Sequence, residues 1–321
     1  MKKLLLLCAW LCATVFVVAV SPARADNYYT FVSVTGDDSN ACDSPAAACR
    51  TFVNAVNKTF PFGEIICVNG GFVGGEVFIT QSVTIDCAGA VALSGGDINI
   101  NGSGIIVRLR NLSIDNIGNF GIGIQVQNAA ALYIENCVIT NSNNTGGFDP
   151  GTYVGIYFAP SANAQLFVTN SIISNNGDSS TSLSGGIEIV PAPGVKADVS
   201  ISHSEISGNF FGIVGDGRSG GTIEATISDS VVSGSTENGV TAISSGSSVV
   251  FMIDQTKVTG NLAAGLFAGG SNAGMLARNT TVFKNAIGLD AAGGAALVSY
   301  GNNSVAGNTT NGAFTAAVSQ E

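Results

Sequence analysis

The chain has 321 residues, of which 45% are hydrophobic, 11% are charged and 42 are glycine. Its 12 Lys and Arg face 22 Asp and Glu, a net charge of −10, which argues against nucleic acid and anionic membranes as partners. This composition is typical of a chain that buries a large core and turns often.

The first 25 residues have the pattern of an export signal. Two lysines precede an apolar run that ends at Val20, and residues 23–25 (ARA) have the small-residue form of a signal peptidase site. We predict a signal peptide over 1–25 and an exported product, extracellular or periplasmic. No second apolar segment follows, so we expect no membrane insertion. Without the leader, 9 Lys and Arg remain against 22 acids, a net charge of −13.

Residues 26–62 are predicted to precede the repeats as a lead-in strand, a cysteine loop and a capping helix. The stretch RTFVNAVNKT (50–59) forms a short helix in this prediction, with Phe52, Ala55 and Val56 on one face. An apolar face of this kind can cover the open end of a stack of strands, where unpaired edges invite aggregation.

Five cysteines follow the leader, and we interpret four of them as structural. Cys42 and Cys49 flank DSPAAA, and a disulfide there would close a short surface loop, worth roughly 2–3 kcal/mol. Cys67 and Cys87 can pair if they lie on adjacent strands, whose ~4.8 Å spacing suits a disulfide. Cys137 is left over. The spacings do not match a CxxC metal site.

A short phrase recurs along the chain from residue 111. It reads NLSI, NCVI, NSII, HSEI, DSVV, QTKV, NTTV and NNSV, at intervals of 25, 34, 33, 26, 26, 24 and 23 residues. Alternating apolar residues precede each phrase, and a Gly-apolar pair such as Gly212-Ile213 follows many of them. Short runs of alternating apolar and polar residues, separated by Gly, Asn and Ser, predict strands and turns and not helices. The period predicts an all-β parallel solenoid of about ten coils over 63–321, roughly 50 Å long.

The first residues of the phrases are predicted to form one column at a tight bend: Asn111, Asn136, Asn170, His203, Asp229, Gln255, Asn279 and Asn302. Asn and Asp tolerate a left-handed backbone, and we expect their stacked amides to hydrogen-bond from coil to coil. His203, the only histidine, is therefore interpreted as a structural residue between Asn170 and Asp229. A second set of asparagines closes many of the phrases: Asn176, Asn209, Asn261, Asn285 and Asn308.

These phrases resemble the right-handed parallel β-helix of the pectate-lyase-like superfamily, where an asparagine ladder occurs. The stretches TFVSVTGDDSNACDSPAAACRTFVNAVNKTFPFGEIICVNGG and VFITQSVTIDC are similar to the beginning of bacterial exported β-helix repeat proteins. The resemblance implies a right-handed β-helix over nearly all of the exported chain. It implies no particular reaction, because this fold hosts lyases, hydrolases, esterases, epimerases and adhesins.

The catalytic motifs of the best-marked enzymes of this superfamily are missing. The G-H-G motif of polygalacturonases is absent, and Asp37-Asp38 lies before the coils. The Q-D-T and D-F-I-F-G signatures of pectin methylesterases are absent as well. Pectate lyases use acidic calcium ligands and an arginine base, which form no compact sequence motif. The sequence therefore favours a protein without catalysis, and a polysaccharide lyase or glycoside hydrolase if it is an enzyme.

Two charge pairs and the leftover thiol are expected to be structural. Arg110 with Glu135, and Asp254 with Arg278, occupy equivalent outward positions in neighbouring coils, where such pairs contribute about 0.2–1 kcal/mol. Cys137 falls in an inward column of small residues, as a buried free thiol. The other members of that column are Ser171, Ser204, Ser230, Thr256 and Thr280.

Two consecutive coils are longer than the others by 8 to 10 residues. The insertions, 141–154 and 175–186, are predicted to lie side by side on one flank, a common position for a binding face in solenoids. The candidate ligand-binding residues are Phe148, Asp149, Tyr153, Tyr157, Asp178 and Glu188. Aromatic faces with carboxylates suit sugar rings, and Asp149, Asp178 and Glu188 are the candidates for a calcium site.

Three functions follow as hypotheses. The first is an exported β-helix that binds carbohydrate or a cell-surface component through the flank, with no cofactor other than calcium. The second is a polysaccharide lyase or glycoside hydrolase that uses the flank carboxylates. The third is a structural or adhesive rod that self-associates through its C-terminal end, since NGAFTAAVSQE (311–321) offers no clear lid.

Overall fold

A computed structural model describes residues 27–69, 76–87, 97–116, 121–143, 153–179 and 183–318. The predicted signal peptide, 1–25, lies outside these residues. No helix within the described ranges has both the length and the apolarity needed to cross a bilayer.

The predicted capping helix is present as α1 (Phe52–Lys58), after a 3₁₀ turn at Pro45–Ala47. The hydroxyl of Thr51 caps its first turn by accepting a hydrogen bond from the backbone N–H of Asn54. Phe52, Ala55 and Val56 are buried, as expected for one apolar face. The helix packs against the first strands of the rod and so covers its N-terminal end.

Strands form three parallel sheets, and sheet 1 is the tallest, with twelve strands among the described residues. In spatial order they are β1 (Asn27–Ser33), β2 (Thr59–Asn69), β4 (Val83–Asp86), β6 (Ile106–Arg110), β9 (Ala131–Glu135), β12 (Ala164–Thr169), β15 (Lys196–Ser202), β18 (Thr222–Ser228), β21 (Val249–Asp254), β24 (Ala273–Arg278), β27 (Ala296–Ser299) and β29 (Ala316–Ala317).

Sheets 2 and 3 complete each coil. In the described ranges, sheet 2 consists of β7 (Ser113–Asp115), β10 (Val138–Thr140), β13 (Ile172–Ser174), β16 (Glu205–Ser207), β19 (Val231–Ser233), β22 (Lys257–Thr259), β25 (Thr281–Phe283) and β28 (Ser304–Ala306). Sheet 3 consists, over the same ranges, of β3 (Val77–Ile79), β5 (Ile98–Asn101), β8 (Ile122–Asn128), β11 (Val154–Phe158), β14 (Gly185–Ile189), β17 (Phe211–Asp216), β20 (Val240–Ile243), β23 (Ala264–Gly269) and β26 (Ile287–Ala292).

The chain is a right-handed parallel β-helix, as predicted. Ten strands of sheet 1, β2 to β27 in spatial order, each begin a coil, and in the seven coils from β6 to β24 the described chain continues through strands of both other sheets. β1 and β29 extend sheet 1 beyond these coils, so the lead-in strand is itself part of the sheet. Alternate side chains point inward and stack as Val, Ile and Leu columns, for example Leu132, Leu166 and Val199. No single coil can bury these residues, so the core depends on stacking.

The first bend of each coil has the predicted left-handed backbone. All eight column residues have positive φ, from 46° at Gln255 to 55° at Asn111 and Asn302. His203 (φ 50°) is exposed and lies between Asn170 and Asp229, because the preceding Ser202 pairs with Thr169 on one side and Ser228 on the other. The predicted position of His203 between Asn170 and Asp229 is confirmed.

The amide ladder, however, lies at the second bend and not at the first. From Asn136 onward the first-bend side chains are exposed, so water can satisfy them and they need no stacked partners. The buried ladder is built by the second set of asparagines, where Asn176 donates to Asn209 at 3.0 Å, Asn261 to Asn285 at 2.8 Å and Asn285 to Asn308 at 2.9 Å. Placing the ladder in the first column was wrong.

In most Gly-apolar pairs the Gly makes room for this ladder. A Cβ on Gly186 would lie 2.9 Å from the side-chain nitrogen of Asn209, and one on Gly265 would lie 2.8 Å from that of Asn285. Both contacts are closer than Cβ atoms tolerate. The recurring Gly is therefore needed for space, since neither residue is among those with positive φ.

Both predicted disulfides are present. Cys42–Cys49 closes the surface loop with a Cα–Cα distance of 5.0 Å, and Cys67–Cys87 joins the first coils with a distance of 4.5 Å. Cys137 is the one cysteine of the described residues outside a disulfide, and it is buried. The backbone N–H of Cys137 donates to the hydroxyl of Ser171 at 3.1 Å, which confirms its place in the small-residue column.

The last coil is followed by a partial turn of chain. The N–H of Gly288 donates to the carbonyl of Thr310 at 2.7 Å, and the N–H of Leu289 donates to that of Asn311 at 3.0 Å. β29 then pairs with β27, and Phe314 packs against the core. Self-association through this end stays a prediction.

Candidate functional site

The two long coils are neighbours, as the stacking predicted. Their third strands, β11 and β14, pair in parallel register, with Val154 opposite Gly185 and Tyr157 opposite Glu188. The two insertions therefore connect neighbouring strands of sheet 2 to neighbouring strands of sheet 3. We call the surface formed by Tyr157, Glu188, Asp216 and Arg218 the flank site.

Glu188 is the most unusual member of the flank site because it is a carboxyl group that is only 8% exposed. It lies in an outward column of sheet 3, between Tyr157 and Val214. Tyr157 is half-buried and Val214 is fully buried. An outward position on this sheet is thus covered by protein.

An ion pair lies beside Glu188. Arg218 donates from its Nη2 to Asp216 Oδ2 at 2.8 Å and from its Nε to Asp216 Oδ1 at 3.0 Å. The backbone N–H of Arg218 also donates to Asp216 Oδ1, at 2.9 Å. The Asp216 side chain is 11% exposed and that of Arg218 is 56% exposed, so the carboxylate is held in place while the cation reaches solvent.

The pKa of Glu188 is raised from 4.5 to about 7, first by burial and then by the negative charge of Asp216, while Arg218 opposes the shift. The pKa of Tyr157 is also raised, by burial first and then by the charges of Glu188 and Asp216. Near neutral pH, a large share of Glu188 is therefore a neutral acid that can donate a hydrogen bond. The site combines this donor with a fixed carboxylate and a guanidinium.

The other predicted site residues are distributed differently. Tyr153 is buried at 4% exposure, so its ring does not form part of an exposed binding face. Asp178 is half-buried at a turn, where its backbone N–H donates to Ser184 Oγ at 3.0 Å. Phe148 and Asp149 lie outside the described residues, so their place in the flank site stays a prediction.

Sequence reasoning missed Asp216 and Arg218. Both lie in GDGR (215–218), at the end of β17 in the coil after the two long ones. That coil has an ordinary length of 26 residues, so the spacing of the repeats did not mark it as a site. The available signal was the position of Asp216, two residues after Val214, which is the register partner of Glu188.

The structure describes two of the three predicted calcium ligands. Within the described ranges, no three His, Cys, Asp or Glu side chains are grouped as a metal site requires. Two of the three candidates, Asp178 and Glu188, are described, and a Glu188 carboxyl whose charged form is disfavoured makes a weak calcium ligand. The described residues alone therefore do not supply a calcium site, and Asp149 is untested.

Structural comparison places the chain in the pectate-lyase-like parallel β-helix fold. It is similar to the crystal structure of pectate lyase Pel9A, with a TM-score of 0.61 and 16% identity over 86% of this chain and 74% of that one. It also matches a GH136 lacto-N-biosidase from Eubacterium ramulus, with a TM-score of 0.46 and 12% identity, over 84% of this chain and 56% of that one. No protein-family model matches the chain, and no curated protein matches it.

Proposed function

We propose that the protein is an exported parallel β-helix that binds carbohydrate through the flank site. The observation that carries this proposal is the buried Glu188, whose raised pKa keeps a share of it neutral near pH 7, beside the Asp216–Arg218 ion pair and next to two adjacent insertions. Sugar hydroxyls both donate and accept hydrogen bonds, so they match a set that contains a neutral acid, a carboxylate and a guanidinium.

Export is part of the same proposal. The apolar leader with its ARA site is a secretion pattern, and the two disulfides are of the kind that persists in oxidising compartments. Carbohydrate of a cell surface or of the surrounding medium is what such a protein would meet.

The test measures binding of a glycan panel to the mature protein from pH 5 to 9, with and without calcium. We expect binding to weaken above pH 7, as Glu188 loses its proton. Glu188→Gln should keep the affinity within about threefold and remove the pH dependence, because its amide still donates. Glu188→Ala and Arg218→Ala should each weaken binding about tenfold or more, since each removes a hydrogen bond to a charged or strongly polar group.

His203→Asn is the control, because His203 is exposed on a different part of the coil. Wild-type affinity that still weakens above pH 7 in both alanine variants would overturn the flank site. A calcium requirement that disappears in Asp178→Asn would support the predicted metal site, and calcium-independent binding would remove it.

One observation favours a second function, a glycoside hydrolase or lyase at the same place. A carboxyl group with a pKa of about 7 near an ion-paired carboxylate is the arrangement in which one acid donates a proton and the other stays charged. If this function is correct, incubation with the panel releases reducing or unsaturated ends. Glu188→Gln then abolishes release and leaves binding intact, whereas binding without release in the wild type excludes it.

A further inference from the structure

A second surface, on the outward face of sheet 1, carries a row of stacked side chains. The guanidinium carbon of Arg108 lies 4.2 Å from the ring centroid of Tyr133. The rings of Tyr133 and Phe167 stack with centroids 4.6 Å apart and an interplanar angle of 10°. These three residues are register partners in successive coils, so the stack runs along the rod.

The stack ends at Phe167 because the next two partners are small. Ser200 and Thr226 follow in the same column, and Met252 comes after them. Three coil steps of ~4.8 Å separate Phe167 from Met252, about 14 Å along the rod. The result is a notch with the ring of Phe167 at one end and the Met252 side chain at the other.

The notch has the size and the chemistry of a small-ligand site. Its volume is about 430 Å³, and Gln165, Asp198 and Glu224 line it beside the column, while small-molecule sites commonly measure about 300–1,000 Å³. Lys196 bridges the two carboxylates, with its Nζ 2.8 Å from Asp198 Oδ1 and 2.8 Å from Glu224 Oε2. The three charges sum to −1. Among the described residues, the other oxygen of each carboxylate has no bonded partner, so it can accept a hydrogen bond from a ligand.

We infer that this notch binds one sugar ring of a neutral glycan. The apolar face of a pyranose can pack on the ring of Phe167, as flat apolar groups do on aromatic faces. Its hydroxyls can donate to Asp198 and Glu224 in charge-assisted hydrogen bonds and exchange hydrogen bonds with Ser200 and Thr226. The net negative charge disfavours uronates, because a like charge would meet the carboxylates at close range.

This inference does not depend on the flank site, which lies on sheet 3. Ser200→Phe should fill the notch by continuing the stack onto Phe167, so it removes the site without removing any group that supports the core. Ser233→Phe is the matched control, since Ser233 is a partly exposed serine on sheet 2. Phe167→Ala removes the platform by the opposite route.

The experiment titrates the mature protein by calorimetry with cellohexaose, mannohexaose, galactohexaose and hexagalacturonate. We expect at least one neutral hexaose to bind and hexagalacturonate to bind at least tenfold more weakly. Ser200→Phe and Phe167→Ala should each weaken the neutral hexaose at least tenfold, and Ser233→Phe should leave it unchanged. Glu188→Ala, which tests the flank site, should leave this binding event intact.

The inference is overturned if no neutral hexaose binds, if hexagalacturonate binds as well as the neutral sugars, or if the binding that remains in Glu188→Ala survives the addition of Ser200→Phe. Thermal unfolding of each variant shows whether it is folded. The notch is supported if the Ser200→Phe protein loses binding but unfolds at the same temperature as the wild type.

Discussion

The side-chain oxygen of Asn209 accepts two hydrogen bonds from Asn176, one from its backbone N–H and one from its side-chain amide, both at 3.0 Å. Asn209 in turn donates from its own amide to the carbonyl of Ile173 at 2.9 Å. A single buried side chain therefore satisfies polar groups in the coil before it. The same relationship recurs between Asn261 and Asn285.

Replacing Asn209 with Ala should destabilise the protein by about 2–4 kcal/mol, because it removes the acceptor of two buried N–H groups of Asn176 and one hydrogen bond to the carbonyl of Ile173. Urea unfolding followed by circular dichroism measures the change. His203→Asn, at the exposed first bend, is the control and should shift stability by no more than about 0.5 kcal/mol. Equal effects of the two changes would contradict a special role for the ladder.

Gly186→Ala should be destabilising by about 2 kcal/mol or more, because the new Cβ would lie 2.8 Å from the carbonyl oxygen of Gly212 and 2.9 Å from the side-chain nitrogen of Asn209. Gly246→Ala is the matched control. A Cβ there meets no heavy atom within 4 Å, so we expect no loss and a gain of up to about 1 kcal/mol from reduced freedom of the unfolded chain. Thermal melts of the two variants decide whether space explains the recurring Gly.

Cys137 should resist thiol reagents in the folded protein. It is 1% exposed, and burial raises its pKa to about 11, so little thiolate is present at neutral pH. In the mature chain, Ellman's reagent should detect no thiol before denaturation and one after it. Cys137→Ser should cost less than about 1.5 kcal/mol, since serines occupy neighbouring positions of the column, whereas Cys137→Leu should cost about 1–3 kcal/mol by overpacking. Rapid labelling of the native protein would contradict the burial.

Glu188 should lower the free energy of unfolding as the pH rises. Its folded pKa of about 7 exceeds its ordinary 4.5, so between these values the folded state holds more proton than the unfolded state and stability falls with increasing pH. The full effect is on the order of 3 kcal/mol and is reached above pH 7. Glu188→Gln should remove it, so the difference in unfolding free energy between variant and wild type should grow from pH 4.5 to 8. A constant difference across this range would rule out the raised pKa.

Much of the fold could be predicted from the sequence because each coil repeats the same constraints. The 24-residue spacing of Gln255 and Asn279 predicts the register of the strands before them, and hence the ion pair of Asp254 with Arg278 at 2.6 Å. Arg110 and Glu135 pair in the same way at 2.8 Å. Because the coils repeat, residues one repeat apart in the sequence become neighbours in the structure.

The position of the amide ladder could not be read with the same ease, because asparagine is favoured at both bends for different reasons. The first bend needs a left-handed backbone, which His203, Asp229 and Gln255 also adopt. The second bend buries a side chain that must both donate and accept, which His and Asp do less well than Asn. The wider range of residues at the first bend was the available clue that its side chains are exposed.

The site was less predictable than the fold. Tyr157 and Glu188 could be aligned through the Gly-Ile pairs that precede them, and they are register partners. Tyr153 lies in an insertion that lacks the repeat pattern, so its burial could not be predicted from the sequence. Asp216 and Arg218 come from a coil of ordinary length, and only three-dimensional proximity brings them to Glu188.

The in-register stacking of coils sets a unit for changes in the length of this protein. Removing 26 residues, such as 203–228, deletes one complete layer and brings Ser202 directly before Asp229, so the bends, Gly positions and inward columns on either side still match. Removing a single residue from a strand instead turns every later side chain of that strand to the opposite face. The rod can therefore become shorter or longer by whole layers, while small insertions and deletions fit only in loops such as the two between sheets 2 and 3.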